Sequence, residues 1–166
     1  LASRFAQNEG LYISTVNAVR ALPDSVSRHV VDDMKALLTV TSNQAAQLAN
    51  HFVSADGTGR IAIICPDDLI KPVREAVRHR LSSLMAPSEY QRLIDQPEWD
   101  EQISVCGTEM VKGLEFDAVI VIEPGRIEDD APSRLVAASD LYVATTRPTQ
   151  KLVIVRTKED ERSLNI

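Results

Sequence analysis

The sequence is poor in aromatic residues, cysteine and basic charge, and each shortage narrows what the chain is able to do. Of its 166 residues 4% are aromatic, with three Phe, three Tyr and a single Trp. The 44% hydrophobic fraction must therefore build its core from aliphatic side chains. Val, Ile, Leu and Ala fall in short runs between polar stretches, as in soluble α/β proteins, and the length suits one domain. The two cysteines, Cys65 and Cys106, sit in apolar strand-like runs and read as buried, reduced thiols, so a cytoplasmic setting is expected. No apolar run approaches the roughly 18 residues that cross a bilayer, and no signal peptide is recognised; no membrane partner is expected. The chain opens on Leu1 rather than Met, which suggests a piece excised from a longer polypeptide. His29, His51 and His79 are scattered, without Cys or carboxylate partners at metal spacing, so no metal site is expected on this chain. Eighteen basic against 24 acidic residues leave a net charge of -6. A broad phosphate-binding surface is disfavoured, because backbone affinity comes from Lys and Arg displacing counterions. A protein partner, or a motor half with few strand contacts, is easier to reconcile with that charge.

Periodicity becomes regular only after about residue 33. Residues 1–33 are expected to be peripheral, or the cut edge of something larger, with a helical turn at Asn17–Leu22 and a break at Pro23–Ser25. Residues 34–166 form the domain proper. Ala36–Thr41 reads as a buried strand, and Ser42 as the N-cap of a helix ending at Asp56–Gly59. Ile61–Cys65 is a second strand. Asp67 or Asp68 caps a helix with Leu69, Val73, Val77 and Leu81 on one stripe and Pro72 near its first turn. Pro87–Asp100 is a loop or short helix, Ile103–Cys106 and Ala118–Ile122 are strands, and Pro124–Asp130 is a loop. A helix from Ser133 to about Thr145 and a strand at Leu152–Val155 complete the chain. Strands alternating with helices predict a doubly wound, mainly parallel sheet of about five strands, with helices on both faces.

Two segments carry chemistry. Val111-Lys112-Gly113-Leu114-Glu115-Phe116-Asp117 leads into the AVIVI strand, and Leu141-Tyr142-Val143-Ala144-Thr145-Thr146-Arg147-Pro148-Thr149-Gln150 leads into the last one. Gly113 permits a tight turn and close approach to a ligand. Glu115, on the same turn, suits hydrogen bonds from a ribose hydroxyl. Arg147 is permanently charged and forks over phosphate oxygens. Lys112 is either a cation for a nucleic-acid strand or an ordinary solvated lysine. Thr145 and Thr146 position the turn, Gln150 is placed to hydrogen-bond nearby, and Leu114, Phe116 and Tyr142 are expected to pack. Arg74, Arg78 and Arg80 on one helix read first as a solvated face.

Together the two segments resemble motifs V and VI of the UvrD/Rep/PcrA branch of superfamily 1 DNA helicases. The resemblance is clear from Ile103 to Val155. It implies a RecA-like (P-loop NTPase-type) C-terminal motor domain, known as 2A, in which Gly113, Glu115 and Arg147 contact ATP. Arg147 would be the catalytic arginine finger, stabilising charge on the transferred γ-phosphoryl group. The chain has no GxxxxGK[ST] loop and no DExx pair, so ATP and Mg2+ would be held mainly by an N-terminal RecA-like domain of the same polypeptide, and this chain alone is not expected to hydrolyse ATP. It also departs from the family. Gly107 and Glu109 occupy positions where DNA-unwinding members carry a Thr and a His that touch the single strand, and Pro148 replaces an alanine. With the short span between the motifs, these departures resemble the HelD-type helicases that bind RNA polymerase. Single-stranded DNA and RNA polymerase are thus the alternative partners. A RecA-like module used purely for protein binding, with Arg147 structural, is the remaining rival.

Overall fold

A computed structural model describes residues 25–53, 59–94, 101–129 and 132–163. Strands β1 (Val26–Val31), β2 (Ile61–Ile64), β3 (Ile103–Cys106), β4 (Phe116–Ile122) and β5 (Pro148–Thr157) form one sheet in the order β1-β5-β4-β2-β3, every pair parallel. The helices are α1 (Met34–Phe52), α2 (Asp67–Ser82), α3 (Pro87–Ile94), α4 (Pro124–Asp129), α5 (Arg134–Thr146) and α6 (Lys158–Ser163), with a 3-10 turn at Thr108–Val111.

Alternation along the central strands feeds two cores. Ile61, Ile63, Ala118, Ile120, Ile122, Val153 and Val155 face α1, α2 and α3. Ala62, Ile64, Val119, Val121, Leu152 and Ile154 face the 3-10 turn, α4 and α5. Every residue of β2 is buried, because helices cover both sides of a parallel sheet and leave no solvated face to alternate against. Full burial of such a side chain contributes about 1.5–3 kcal/mol, so aliphatic residues replace the missing aromatics by number.

The sheet is doubly wound as expected. The connections after β1 and β2 run over one face and those after β3 and β4 over the other, so the winding reverses between the neighbours β2 and β4. In open α/β sheets such a crevice at the carboxyl ends of the strands is the usual ligand site. Here Arg126, in α4, makes two bonds of 2.8 and 2.9 Å to the Asp68 carboxylate of α2. The candidate residues lie at the opposite edge.

Several local expectations need correction. Ala36–Thr41 is helical: the Asp33 side chain accepts from the Ala36 N–H at 2.8 Å and starts α1 two turns before Ser42. A short apolar run has no period of its own, and the buried set Leu37, Thr41, Ala45 and Leu48 shows the helical stripe that decided the matter. Ser42 is inside the helix, its hydroxyl donating to the Thr39 carbonyl. Pro66, not an aspartate, stands at the N-cap of α2; Asp67 and Asp68 occupy its first turn without a capping bond, and Pro72 lies inside. Pro124–Asp129 is a helix whose first turn is capped by Asp160, which accepts from the Arg126 N–H at 2.9 Å. Leu152–Val155 is the buried middle of a ten-residue strand. Within the stretch expected to be peripheral, Val26–Val31 pairs along β5 as an edge strand, so a boundary at residue 33 does not divide the sheet. Residues 1–24, and with them the turn at Asn17–Leu22, lie outside the described residues, as do 54–58 and 95–100.

Where β4 and β5 end, Glu123 adopts a left-handed φ of 48° and is buried against Thr157, whose N–H and hydroxyl both donate to its carboxylate. Burial, more than the opposing Thr157 bonds, holds the Glu123 carboxyl above the usual carboxylate range; burial does the same to Asp160. A carboxyl with a raised folded-state pKa keeps its proton when the unfolded chain has released it. Its stabilisation is complete below the unfolded value, about 4.3 for Glu, and is lost as pH rises through the folded value. Glu123→Gln should therefore flatten the decline in urea-unfolding free energy as pH rises above about 4.3. A decline as steep as in the parent chain would contradict this.

Candidate nucleotide-facing site

The two motif segments are 33 residues apart in sequence at their closest side-chain contact, and the sheet joins them. Phe116 opens β4 and Pro148 opens β5, and these two residues pair in register. Arg147, the C-cap of α5, is tied to the turn on either side of Glu115. Its carbonyl accepts from the Phe116 N–H at 3.2 Å, and its guanidinium Nη1 donates to the Leu114 carbonyl at 3.4 Å. Glu115 is thus held between two contacts to Arg147.

The turn itself requires glycine. Gly113 has φ 81°, and a Cβ built there meets nothing within 4 Å. Its demand is one of backbone conformation, and the space beside it is open. Glu115 is exposed, and its carboxylate makes no hydrogen bond or ion pair among the described residues. The Arg147 guanidinium is half-buried. It has no carboxylate partner among the described residues, and its Nε is buried without a hydrogen-bond acceptor. Buried donors are ordinarily satisfied, so an arginine with one long bond to a carbonyl retains most of its capacity for an anion. Thr145 and Thr146 hold the last turn of α5, their hydroxyls donating at 2.7 Å to the Leu141 and Tyr142 carbonyls. A helix carboxyl end also favours the arginine's positive charge.

Lys112 is brought into the same turn but is committed. Its ammonium pairs with Glu109 at 2.5 Å and with the largely buried Asp140 of α5 at 3.3 Å. The Glu109 bond is the largest influence raising the Lys112 pKa, so the lysine stays charged and its charge is met internally. Leu114, expected to pack, is 42% exposed, and Met110 is 56% exposed. Phe116 is buried in the core, and Tyr142 is half-buried. Arg74 is no solvated cation. It pairs at 2.6 Å with the buried Glu101 and donates to the Val105 carbonyl on edge strand β3. Cys65 and Cys106 face opposite cores; burial pushes the Cys65 thiol up to about 12. Among the described residues no group of three His, Cys, Asp or Glu side chains is arranged to hold a metal ion, and no helix is long and apolar enough to cross a membrane.

A groove of about 1030 Å³ runs beside β3, lined by Cys106, Gly107, Glu109, Met110, Leu114 and Asp140 among others. It reaches Leu114 and Phe116 but not Glu115 or Arg147. Those two lie outside it, one charged group of each sign, Glu115 exposed and Arg147 half-buried. Sequence reasoning missed two contacts. Asp117 accepts from the Gln150 side chain at 2.9 Å, and Asp140 faces Lys112. The first depends on the register of β4 against β5, and the second joins a loop to a helix with no shared period to reveal it.

A five-stranded, all-parallel sheet with helices on both faces is a RecA-like arrangement. No protein-family model and no curated protein matches the chain. Among solved structures it is similar to the C-terminal domain of a possible DNA helicase from Lactobacillus plantarum WCFS1, with a TM-score of 0.55 and 19% identity over 89% of this chain and 85% of that one. At that identity the likeness is one of fold. Because Gly113 needs its backbone conformation and nothing else, Gly113→Ala should cost about 1–2 kcal/mol in chemical denaturation, and Gly113→Asn less. Equal stability of the Ala variant and the parent would show that the turn tolerates any residue.

Proposed function

We propose that this chain is the C-terminal motor domain of an ATP-dependent DNA helicase or translocase of the UvrD-like superfamily 1 type. It supplies one wall of an ATP site whose other wall is an N-terminal RecA-like domain of the same polypeptide. The observation that carries the reading is the state of Arg147: held against the Glu115 turn, partly buried, and without a carboxylate partner among the described residues. The fold shared with a helicase C-terminal domain supports it.

In this reading ATP binds mainly to the N-terminal domain, which also holds Mg2+. Closure of the cleft brings the Glu115 carboxylate to a ribose hydroxyl and the Arg147 guanidinium to the γ-phosphoryl group. Arg147 stabilises the charge that develops in transfer, where a water-poor cleft makes each fixed charge more effective. Hydrolysis removes the group that Arg147 prefers, and the cleft relaxes. Only such a difference in affinity between the two states is able to drive the cycle. In the intact parent protein Arg147→Ala should lower ATP turnover by about 10³-fold or more while affecting ATP binding far less. Unchanged turnover would overturn the assignment.

One observation favours a second reading, an ATP-driven factor of HelD type that binds RNA polymerase and does not unwind DNA conventionally. Glu109 neutralises Lys112, the cation of the turn, and by the resemblance it takes the place of a residue that would touch the single strand. Turnover stimulated by polymerase but not by single-stranded DNA would select this reading; stimulation by DNA alone would select the first.

A further inference from the structure

Arg147 and Glu115 function as a pair only if one is held still against the other, and the register of β4 on β5 shows how. Phe116 lies opposite Pro148, but Ala118 lies opposite Lys151. Strand β5 therefore places two residues, Thr149 and Gln150, where β4 places Asp117 alone. Such a bulge leaves a residue out of the ladder, so a bond from outside the ladder adds a constraint on its geometry. Asp117 supplies it. One carboxylate oxygen accepts from Gln150 Nε2 at 2.9 Å, and the other accepts from the Arg60 N–H at 2.9 Å, while the Asp117 N–H returns a bond to the Arg60 carbonyl. A single side chain thus fastens the bulge of β5 to the entry of β2, across β4.

We propose that Asp117 and Gln150 are positioning residues for Arg147. Only Pro148 and Thr149 separate Arg147 from the fastened Gln150, and proline fixes its own φ and lacks an N–H, so the joint is stiff. A shift of the bulge is passed to the C-cap of α5 and changes where the guanidinium points beside Glu115. This inference rests on the reading of Arg147 given above.

The test uses the intact parent protein and steady-state ATP hydrolysis. Gln150→Glu sets two carboxylates against each other and should lower kcat about 10- to 100-fold, the scale of a small misplacement of a catalytic group, while KM for ATP changes by less than about 2-fold. Adding Asp117→Asn should restore kcat, since the new amide donates to the Glu carboxylate while its oxygen still accepts from the Arg60 N–H. Gln150→Ala, which removes the bond without repulsion, should lower kcat with the same selectivity and serves if the Glu variant does not fold. Wild-type turnover in either single variant, or a Gln150→Glu loss that Asp117→Asn does not reverse, would overturn the proposal. Arg147→Ala measured alongside separates the two failures. If it leaves turnover intact, the reading of Arg147 falls; if it abolishes turnover while the Gln150 variants do not, only the positioning role falls.

Discussion

Where β4 and β5 begin, one residue holds both ends of a short turn: Arg147 accepts from the Phe116 N–H through its carbonyl and donates to the Leu114 carbonyl through its guanidinium. The sheet makes this possible. Parallel pairing of β4 with β5 brings Phe116 beside Pro148, and burial of Val119, Val121, Leu152 and Ile154 in one core fixes that register, since a one-residue slip would turn the apolar set to the other face. The placement of the exposed Glu115 carboxylate beside the Arg147 guanidinium is therefore a consequence of core packing.

The charges around this turn divide into two kinds. Lys112, Arg74 and Arg126 each meet a carboxylate of the same chain: Glu109 and Asp140, Glu101, and Asp68. Arg147 meets none among the described residues. In a chain of net charge -6, with acidic groups in excess, leaving an arginine beside only a carbonyl is the less expected arrangement. It is what a half-site for a phosphate would require, and it differs from Arg126, whose guanidinium is bridged to the Asp68 carboxylate.

Much of this was legible in the sequence where a period or a motif existed. The stripe Leu69, Val73, Val77 and Leu81 gave α2, and continuous apolar runs gave β2 and the middle of β4. The KGLEFD turn and the TTR segment marked the residues that the sheet joins. Ala36–Thr41 was misread because six apolar or β-branched residues fit a strand or one and a half turns of helix equally, and the Asp33 cap that settles it lies three residues earlier. The edge strand Val26–Val31 was missed because its alternating exposed and half-buried pattern is that of an edge, with little apolar signal. The Asp117–Gln150 bond and the commitment of Lys112 to Asp140 depend on register and on helix placement, which no local pattern encodes.

The central claim is that Arg147 is reserved for a phosphoryl group in transfer, and affinity for a mimic of that state tests it most directly. The intact protein would be titrated with ADP alone and with ADP plus aluminium fluoride, for wild type and Arg147→Ala. The account predicts that wild type binds the fluoride complex at least about 10-fold more tightly than ADP, as transition-state mimics bind, and that Arg147→Ala loses this difference while retaining its affinity for ADP. A variant that keeps the full preference for the fluoride complex would show that the arginine serves the fold and not the nucleotide.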